Sequence, residues 1–468
     1  MIDFKDLTIK KAGELLRNGE ITSVDLTTYF LKKIEEENPK LNALLEVFDD
    51  ALAQAQKADE RIKNGEKGEL LGIPYVVKDN FLFKGRRASS ASKVLEGYIA
   101  PYDSTVAKKL IEAGAVLLGR ANMDEFAMGA STETSAYGVV KNPFDLERVA
   151  GGSSGGCAAA LGAGLCLFAI GSDTGGSIRQ PASFCGVVGY KGTYGAVSRH
   201  GVMAMASSLD HMGPFAKTAE DAKIVFKYIA GVDTYDATTI EIPKESKTVK
   251  KIGVCRELLS KGGIDEEVIH NFNESIEKLK QNGFEIVDVT LPHIHYSIPV
   301  YYIIVPAEVS SNMARYDGVK FGQKVEGDNL TADYFKTRGS LIGKEVQRRI
   351  LIGTYVLSSG YYDSYYGKAT KIRELIKQDF KNAFTQVDII AMPSTANPAF
   401  KIGEKTNDPI AMYLEDVFTS PADLAQIPAI AVPSGQTKTG LPLSMQFLSE
   451  FYLDYTLLDF ADSFEKLS

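Results

Sequence analysis

The sequence predicts an α/β fold: a large, mostly parallel or mixed, twisted sheet covered by helices on both faces, with an N-terminal helical segment. Three observations predict it. Helix-like and strand-like segments alternate along most of the 468 residues, as they do where a sheet is covered by its own crossovers. The composition, 44% hydrophobic and 24% charged, suffices to bury a large core. No apolar run approaches the ~18 residues that span a membrane, so the apolar segments are expected inside a soluble protein.

The elements follow in order. "TIKKAGELLRNG" ends on a glycine, and "TSVDLTTYFLKKIEEEN" begins on a Ser/Thr cap and is expected to stop before Pro39. An amphipathic helix, "DALAQAQKADERIKNG", precedes the apolar strand "GIPYVV", which delivers Lys78. Next come helix "DSTVAKKLIEAG" and strand "AVLLGR". Beyond a glycine-serine region lies helix "TAEDAKIVFKYIAG", then a polar surface excursion over 232–250. Strand "KIGVC", a helix near 265–282 and strand "FEIVDVTL" resume the alternation. Residues 301–366 hold nine of the 22 tyrosines on helical segments, an enrichment that suits a pocket wall or a partner surface as well as ordinary packing. Strands "VDIIAMP", "AIAVPSG" and "LPLSMQFLS" and a closing helix, "TLLDFADSFEKL", complete the chain. No internal repeat is present, and residues 1–468 are read as a single domain.

Charge and cysteine usage exclude several classes. A net charge of −8 argues against backbone-driven nucleic-acid binding, which needs a basic surface. The four cysteines (Cys157, Cys166, Cys185, Cys255) form no C-x-x-C pair and the five histidines no H-E-x-x-H, so no metal site is expected. Scattered cysteines and a charged amino terminus without a signal-peptide core point to the cytoplasm, with no membrane association.

The chemistry concentrates in "GGSSGGCAAALGAGLCLFAIGSDTGGSIRQPAS", Gly151 to Ser183. Ten helical residues would carry the chain ~15 Å away from Ser153, and a five-residue strand would return it a similar distance to Ser177. The two serine loops therefore sit side by side, and Lys78 reaches the same edge from a neighbouring strand. A serine needs a base, and a lysine can serve if burial lowers its pKa toward 7–8. The adjacent Asp79 opposes this unless strand alternation points it elsewhere. In "DTGGS", the backbone N–H groups of Thr174, Gly175, Gly176 and Ser177 are candidates for an oxyanion hole.

"GIPYVVKDN", "GGSSGG" and "GSDTGGSIRQPASFCGVVGYKGTYG" together closely resemble the amidase signature family. "ANMDEFAMGASTETSAYGVVKNPFDLERVAGGSSGG" and "VSRHGVMAMASSLDHMGPFAKT" narrow the resemblance to the glutaminase subunits of tRNA-dependent amidotransferases. It extends over essentially the whole chain and implies the amidase signature fold, with N-terminal helices over 1–60, a catalytic core over 70–215 and a Tyr-rich substrate or partner region over 301–385. It implies Ser177 as the nucleophile, Ser153 as the bridging serine after a cis Gly152–Ser153 peptide, and Lys78 as the terminal base. Ser154 is expected to hydrogen-bond within its loop. Departures from the family pattern are Gly192 in place of proline, Phe144 in place of tryptophan and Cys157 in place of a smaller residue. None of them falls on the triad.

The same resemblance implies a glutamine pocket built from "GKEVQRRILIGTYVLSSGYYDSYY" and "MYLEDVFTSPADLAQIPAIAVPSG". Arg349 would grip the substrate carboxylate and Asp416 its ammonium, with Tyr302 also binding substrate. Arg348 and Glu415 are neighbours that could be mistaken for them. The implied partners are the B and C subunits of the amidotransferase in a heterotrimer, with misacylated tRNA held mainly by the B subunit. No cofactor is expected in this chain, ATP and Mg being expected in the B subunit.

Other readings fare less well. "GGSSG" fits a nucleophile elbow, but that scheme needs a late histidine and none follows His295. Cys185 as a thiol nucleophile lacks a partner motif, and a buried structural role suits it better. A scaffold role would leave the triad decorative. The main alternative is a stand-alone amidase that uses the same triad on another amide.

Overall fold

A computed structural model describes residue 4, residues 7–259 and residues 263–467. Of the charged amino-terminal stretch, Met1–Asp3, Lys5 and Asp6 lie outside the described residues. An 11-stranded sheet runs in the order 44–47, 116–121, 74–78, 168–173, 211–216, 188–191, 429–436, 442–449, 389–393, 251–254, 285–288. It is mixed, as the sequence allowed. Pro74–Lys78 is parallel to both Val116–Ala121 and Phe168–Asp173, and Lys251–Val254 is parallel to both Ile389–Pro393 and Glu285–Asp288. Antiparallel pairings join these two blocks across the middle.

The first parallel block positions the chemistry. Its three strands end at Lys78, Ala121 and Asp173 on one edge, and ligands in α/β sheets bind outside such carboxyl ends. All three are buried along their whole length, which explains their near-continuous apolar character. Phe168–Asp173 also pairs antiparallel with His211–Ala216, so the strand direction reverses beside the site.

Most expected elements are present, and one boundary differs. The helix expected to stop before Pro39 runs over Ser23–Leu41. Pro39 sits in its last turn, where it removes one intrahelical hydrogen bond without ending the helix. The true stop is Asn42 at φ 54°, whose N–H caps the Asn38 carbonyl. The Asn38 side chain in turn exchanges two hydrogen bonds with the Leu44 backbone.

Two large apolar clusters form the interior. One surrounds the first parallel block and its helices, and the other holds Tyr301, Val346, Ile376 and Phe418 from the tyrosine-rich helices and their neighbours. Those helices are Ser297–Asn312, Leu330–Leu341, Lys344–Val356 and Tyr366–Ala383. The tyrosines divide by environment: Tyr301 is buried, whereas Tyr355, Tyr361, Tyr362 and Tyr365 are exposed. Among the described residues no helix is long and apolar enough to cross a membrane.

Candidate active site

Lys78 ends its strand with no solvent exposure. Its Nζ donates to Ser153 Oγ at 2.8 Å and Ser172 Oγ at 2.9 Å, and more weakly to the Ser172 carbonyl at 3.3 Å. Burial lowers its pKa to about 8, against an upward pull from Cys157, Asp124, Asp173 and Asp210. Asp79 does not oppose the shift, because strand alternation turns it away. Its carboxylate meets Arg120 Nη1 at 2.8 Å and accepts from the Ser89 and Ala91 amides at 3.1 and 2.9 Å.

The two serine loops lie side by side. The chain leaves Ser153 in helix Gly155–Gly162 and returns in strand Phe168–Asp173. The Ser154 N–H then donates to the Ser177 carbonyl at 3.3 Å. Ser154 does not bond within its own loop as expected. Its hydroxyl donates to the Ser172 carbonyl at 3.1 Å, tying the first loop to the strand that carries the second. The Gly152–Ser153 peptide is cis. Ser153 is fully buried and Ser177 is 8% exposed. No hydrogen bond holds the Ser177 hydroxyl among the described residues, so it can turn toward a substrate or toward Ser153.

Asp173 folds the second loop. Its carboxylate accepts from the amides of Gly176 (2.7 Å) and Ile178 (3.0 Å) and from Arg179 Nε and Nη2 at 3.1 and 3.0 Å. Burial alone would raise its pKa. Arg179 and the loop amides outweigh burial and hold the carboxyl well below the usual range. This corrects one expectation: the Gly176 N–H is committed to Asp173 and is unavailable to an oxyanion. The amides of Thr174, Gly175 and Ser177 have no acceptor among the described residues. Glycine is required here by close approach. A Cβ on Gly175 would lie 2.4 Å from the Tyr301 phenol, and one on Gly176, at φ 137°, 2.2 Å from Thr419 Oγ1.

Tyr301 connects this loop to a cleft of about 460 Å³ whose walls include Ser131, Tyr302, Glu345, Arg349 and Tyr413. The Tyr301 and Tyr302 rings meet edge to face at 4.9 Å. Tyr302 stacks on Tyr413 at 3.8 Å and donates its hydroxyl to Asp416 at 2.8 Å. Arg349, 3% exposed, lies 5.3 Å from the Tyr302 ring and donates Nε to Glu345 at 2.8 Å. Nη1 and Nη2 of Arg349 have no hydrogen-bond partner among the described residues, leaving a fork of the kind that fits a carboxylate. Burial raises Asp416 to about 7, opposed by the Tyr302 hydrogen bond and Arg349.

The structure separates each residue from its look-alike. The Arg348 side chain is 44% exposed and pairs with Glu345. Glu415 turns to Lys405 and to Asn397 Nδ2, 2.9 Å away. Cys185 is fully buried, and burial raises its thiol pKa far above the ordinary value.

Sequence reasoning missed Ser172, Asp173, Arg179, Glu345 and Tyr413. Glu345 was legible, since a carboxylate four residues before Arg349 on one helix faces it. Asp173 and Arg179 stand inside the quoted "DTGGSIR", but their pairing needs the loop to fold. Tyr413 stands inside the quoted "MYLEDVF", but nothing local marks its stacking on Tyr302. Among the described residues no group of three or more His, Cys, Asp or Glu side chains could hold a metal ion.

Comparison with known proteins assigns the family. The model of the family described as Amidase matches residues 25–458. The chain belongs to the amidase family. It is 49% identical to the A subunit of the glutamyl-tRNA(Gln) amidotransferase of Desulfatibacillum aliphaticivorans, over 98% of this chain and 97% of that one. It is 50% identical to the corresponding A subunit of Koribacter versatilis, over 99% of each. The solved A subunit of the glutamyl-tRNA(Gln) amidotransferase of Thermotoga maritima superposes with a TM-score of 0.83 at 41% identity, covering 100% of this chain and 96% of that one. The native peptide amidase of Stenotrophomonas maltophilia gives a TM-score of 0.82 at 28% identity, covering 98% and 96%. The fold is thus shared with an amidotransferase subunit and with a peptide amidase, while the greater identity is to the amidotransferase subunits.

Proposed function

We propose that this chain is the glutamine-hydrolysing A subunit of a tRNA-dependent amidotransferase. One observation carries the reading: a buried Lys78–Ser153 hydrogen bond of 2.8 Å lies beside the Ser177 loop, and Tyr301 and Tyr302 join that loop to a cleft with a free arginine fork. The near-full-length similarity to subunits of that name supports it.

Ser177 Oγ attacks the side-chain amide carbon of glutamine while its proton passes to Ser153, whose own proton passes to neutral Lys78. The tetrahedral oxyanion takes hydrogen bonds from the loop amides of Thr174, Gly175 and Ser177. The intermediate collapses, the C–N bond breaks, and the proton returned through Ser153 leaves with ammonia. A γ-glutamyl ester remains on Ser177. Water, deprotonated by the same relay, cleaves it to glutamate and restores the serine. Arg349 and Asp416 hold the α-carboxylate and α-ammonium, which selects glutamine over simpler amides.

In this reading the chain works in the cytoplasm as part of a heterotrimer with the B and C subunits. Ammonia passes to the B subunit, which uses ATP and Mg²⁺ to convert Glu-tRNA(Gln), or Asp-tRNA(Asn), to its amide. The net charge of −8 is consistent with tRNA being held mainly by the B subunit. The test is glutamate release from glutamine by this chain alone and co-expressed with candidate B and C subunits, with Ser177→Ala as control. Release that needs the partners, rises with misacylated tRNA and ATP, and vanishes in Ser177→Ala is the expected result. Ser177-dependent cleavage of another amide without glutamine turnover would establish a stand-alone amidase instead.

A further inference from the structure

Two consecutive acidic residues follow the buried strand Val116–Ala121 and reach in different directions. The Asp124 N–H donates to the Ser153 carbonyl at 3.1 Å, and its carboxylate gathers the Thr132 amide (2.9 Å) and the Thr134 hydroxyl (2.8 Å). Asp124 is therefore fixed against the serine loop. Glu125, 2% exposed, accepts from the Gly343 N–H at 2.8 Å and pairs with the Ser92 hydroxyl.

Gly343 is the N-cap of helix Lys344–Val356 and supplies no capping side chain of its own. A carboxylate is favoured at this end, where backbone N–H groups lack intrahelical partners and the helix dipole is positive. The contact is tight: a Cβ on Gly343 would lie 2.2 Å from Glu125 Oε2. The same helix carries Glu345 and Arg349 on its first two turns. One dipeptide thus touches the loop of Ser153 through Asp124 and the start of the Arg349 helix through Glu125.

We propose that Glu125 is a positioning residue for substrate recognition, setting the Arg349 fork at the correct distance from the reacting serines by holding the start of its helix. The inference rests on the glutamine-hydrolase reading above. Glu125 need not touch substrate in this role, and its effect is felt where the substrate carries an α-carboxylate.

The test is steady-state kinetics on the full chain, in whichever state turns over glutamine, alone or with its candidate partners. Glutamine is compared with butyramide, which keeps the scissile amide and lacks the α-carboxylate and α-ammonium. Glu125→Ala should raise KM for glutamine roughly five- to tenfold, the scale of one lost capping contact, with kcat nearly unchanged. Butyramide cleavage should be unaffected. Glu125→Gln keeps an acceptor for Gly343 and a donor for Ser92, and should restore KM. Gly343→Ala attacks the same contact from the helix side and serves if Glu125→Ala does not fold.

An unchanged KM in Glu125→Ala, or equal losses on both amides, would overturn the proposal. If butyramide turnover is too slow to measure, a loss in kcat rather than KM, or no rescue by Glu125→Gln, overturns it equally. Wild-type protein that cleaves butyramide through Ser177 but not glutamine removes the underlying reading and this proposal with it. That outcome needs no variant at Glu125, so the two failures are distinguishable.

Discussion

The Lys78 amine and the Ser153 hydroxyl lie 2.8 Å apart, both fully buried. Water competes with neither, so the hydrogen bond orients Ser153 while burial shifts the amine toward its neutral form. Burial lowers the Lys78 pKa to about 8. The free base grows as pH rises through that value, so kcat/KM should climb tenfold per pH unit below about 8 and level off above it. A pH–rate profile measures this. A profile flat from pH 6 to 9 would deny Lys78 the role of base.

The two loop serines should separate in their effects. Ser177→Ala should remove activity by about 10⁴-fold or more, as losing a nucleophile does. Ser153→Ala should cost about 10²–10⁴-fold, the range for losing a proton relay. Ser154→Ala removes one hydrogen bond, to the Ser172 carbonyl, and should lower stability by about 1 kcal/mol with little loss of rate. Single-turnover acylation by glutamine distinguishes the three.

Arg349 and Arg348 should likewise differ. Arg349→Lys keeps the charge but loses the planar fork, and should raise KM for glutamine about 10–100-fold, given about 1.5–3 kcal/mol for a charged hydrogen bond. Arg348→Ala loses a surface pair whose side chain is 44% exposed, worth at most about 1 kcal/mol, and should change KM less than about fivefold. Equal KM effects would contradict the geometry.

Arg179 predicts a stability effect instead. It has no solvent exposure and pairs with two equally buried carboxylates, Asp173 and Asp423. It also donates to the Thr419 carbonyl at 2.8 Å and Gln446 Oε1 at 2.6 Å. Arg179→Leu strands both acids and should destabilise the fold by about 3–5 kcal/mol, read as a lower urea midpoint. Replacing Arg17, an exposed residue near the amino terminus, should leave the midpoint in place.

The sequence by itself determined the parts of this protein that rest on local pattern. Alternating helices and strands announced the sheet. The spacing of Ser153 and Ser177 across one helix and one strand required adjacent loops, and "YVVK" put Lys78 at a strand end. Strands Val188–Lys191 and His211–Ala216 escaped notice, because glycine and proline interrupt their apolar pattern and they are held by pairing with neighbours. The tertiary structure alone decided that Arg349 is buried against Tyr302 while Arg348, on the rim of the same cleft, stays exposed, since adjacent residues on a helix point about 100° apart and only packing chooses the face. It alone turned Asp79 toward Arg120, committed the Gly176 amide to Asp173, and joined Asp416 to Tyr302 across 114 residues. The physical reason is the same in each case. Residue type and spacing fix what a side chain is able to do, whereas the partner it meets depends on segments far away in the chain.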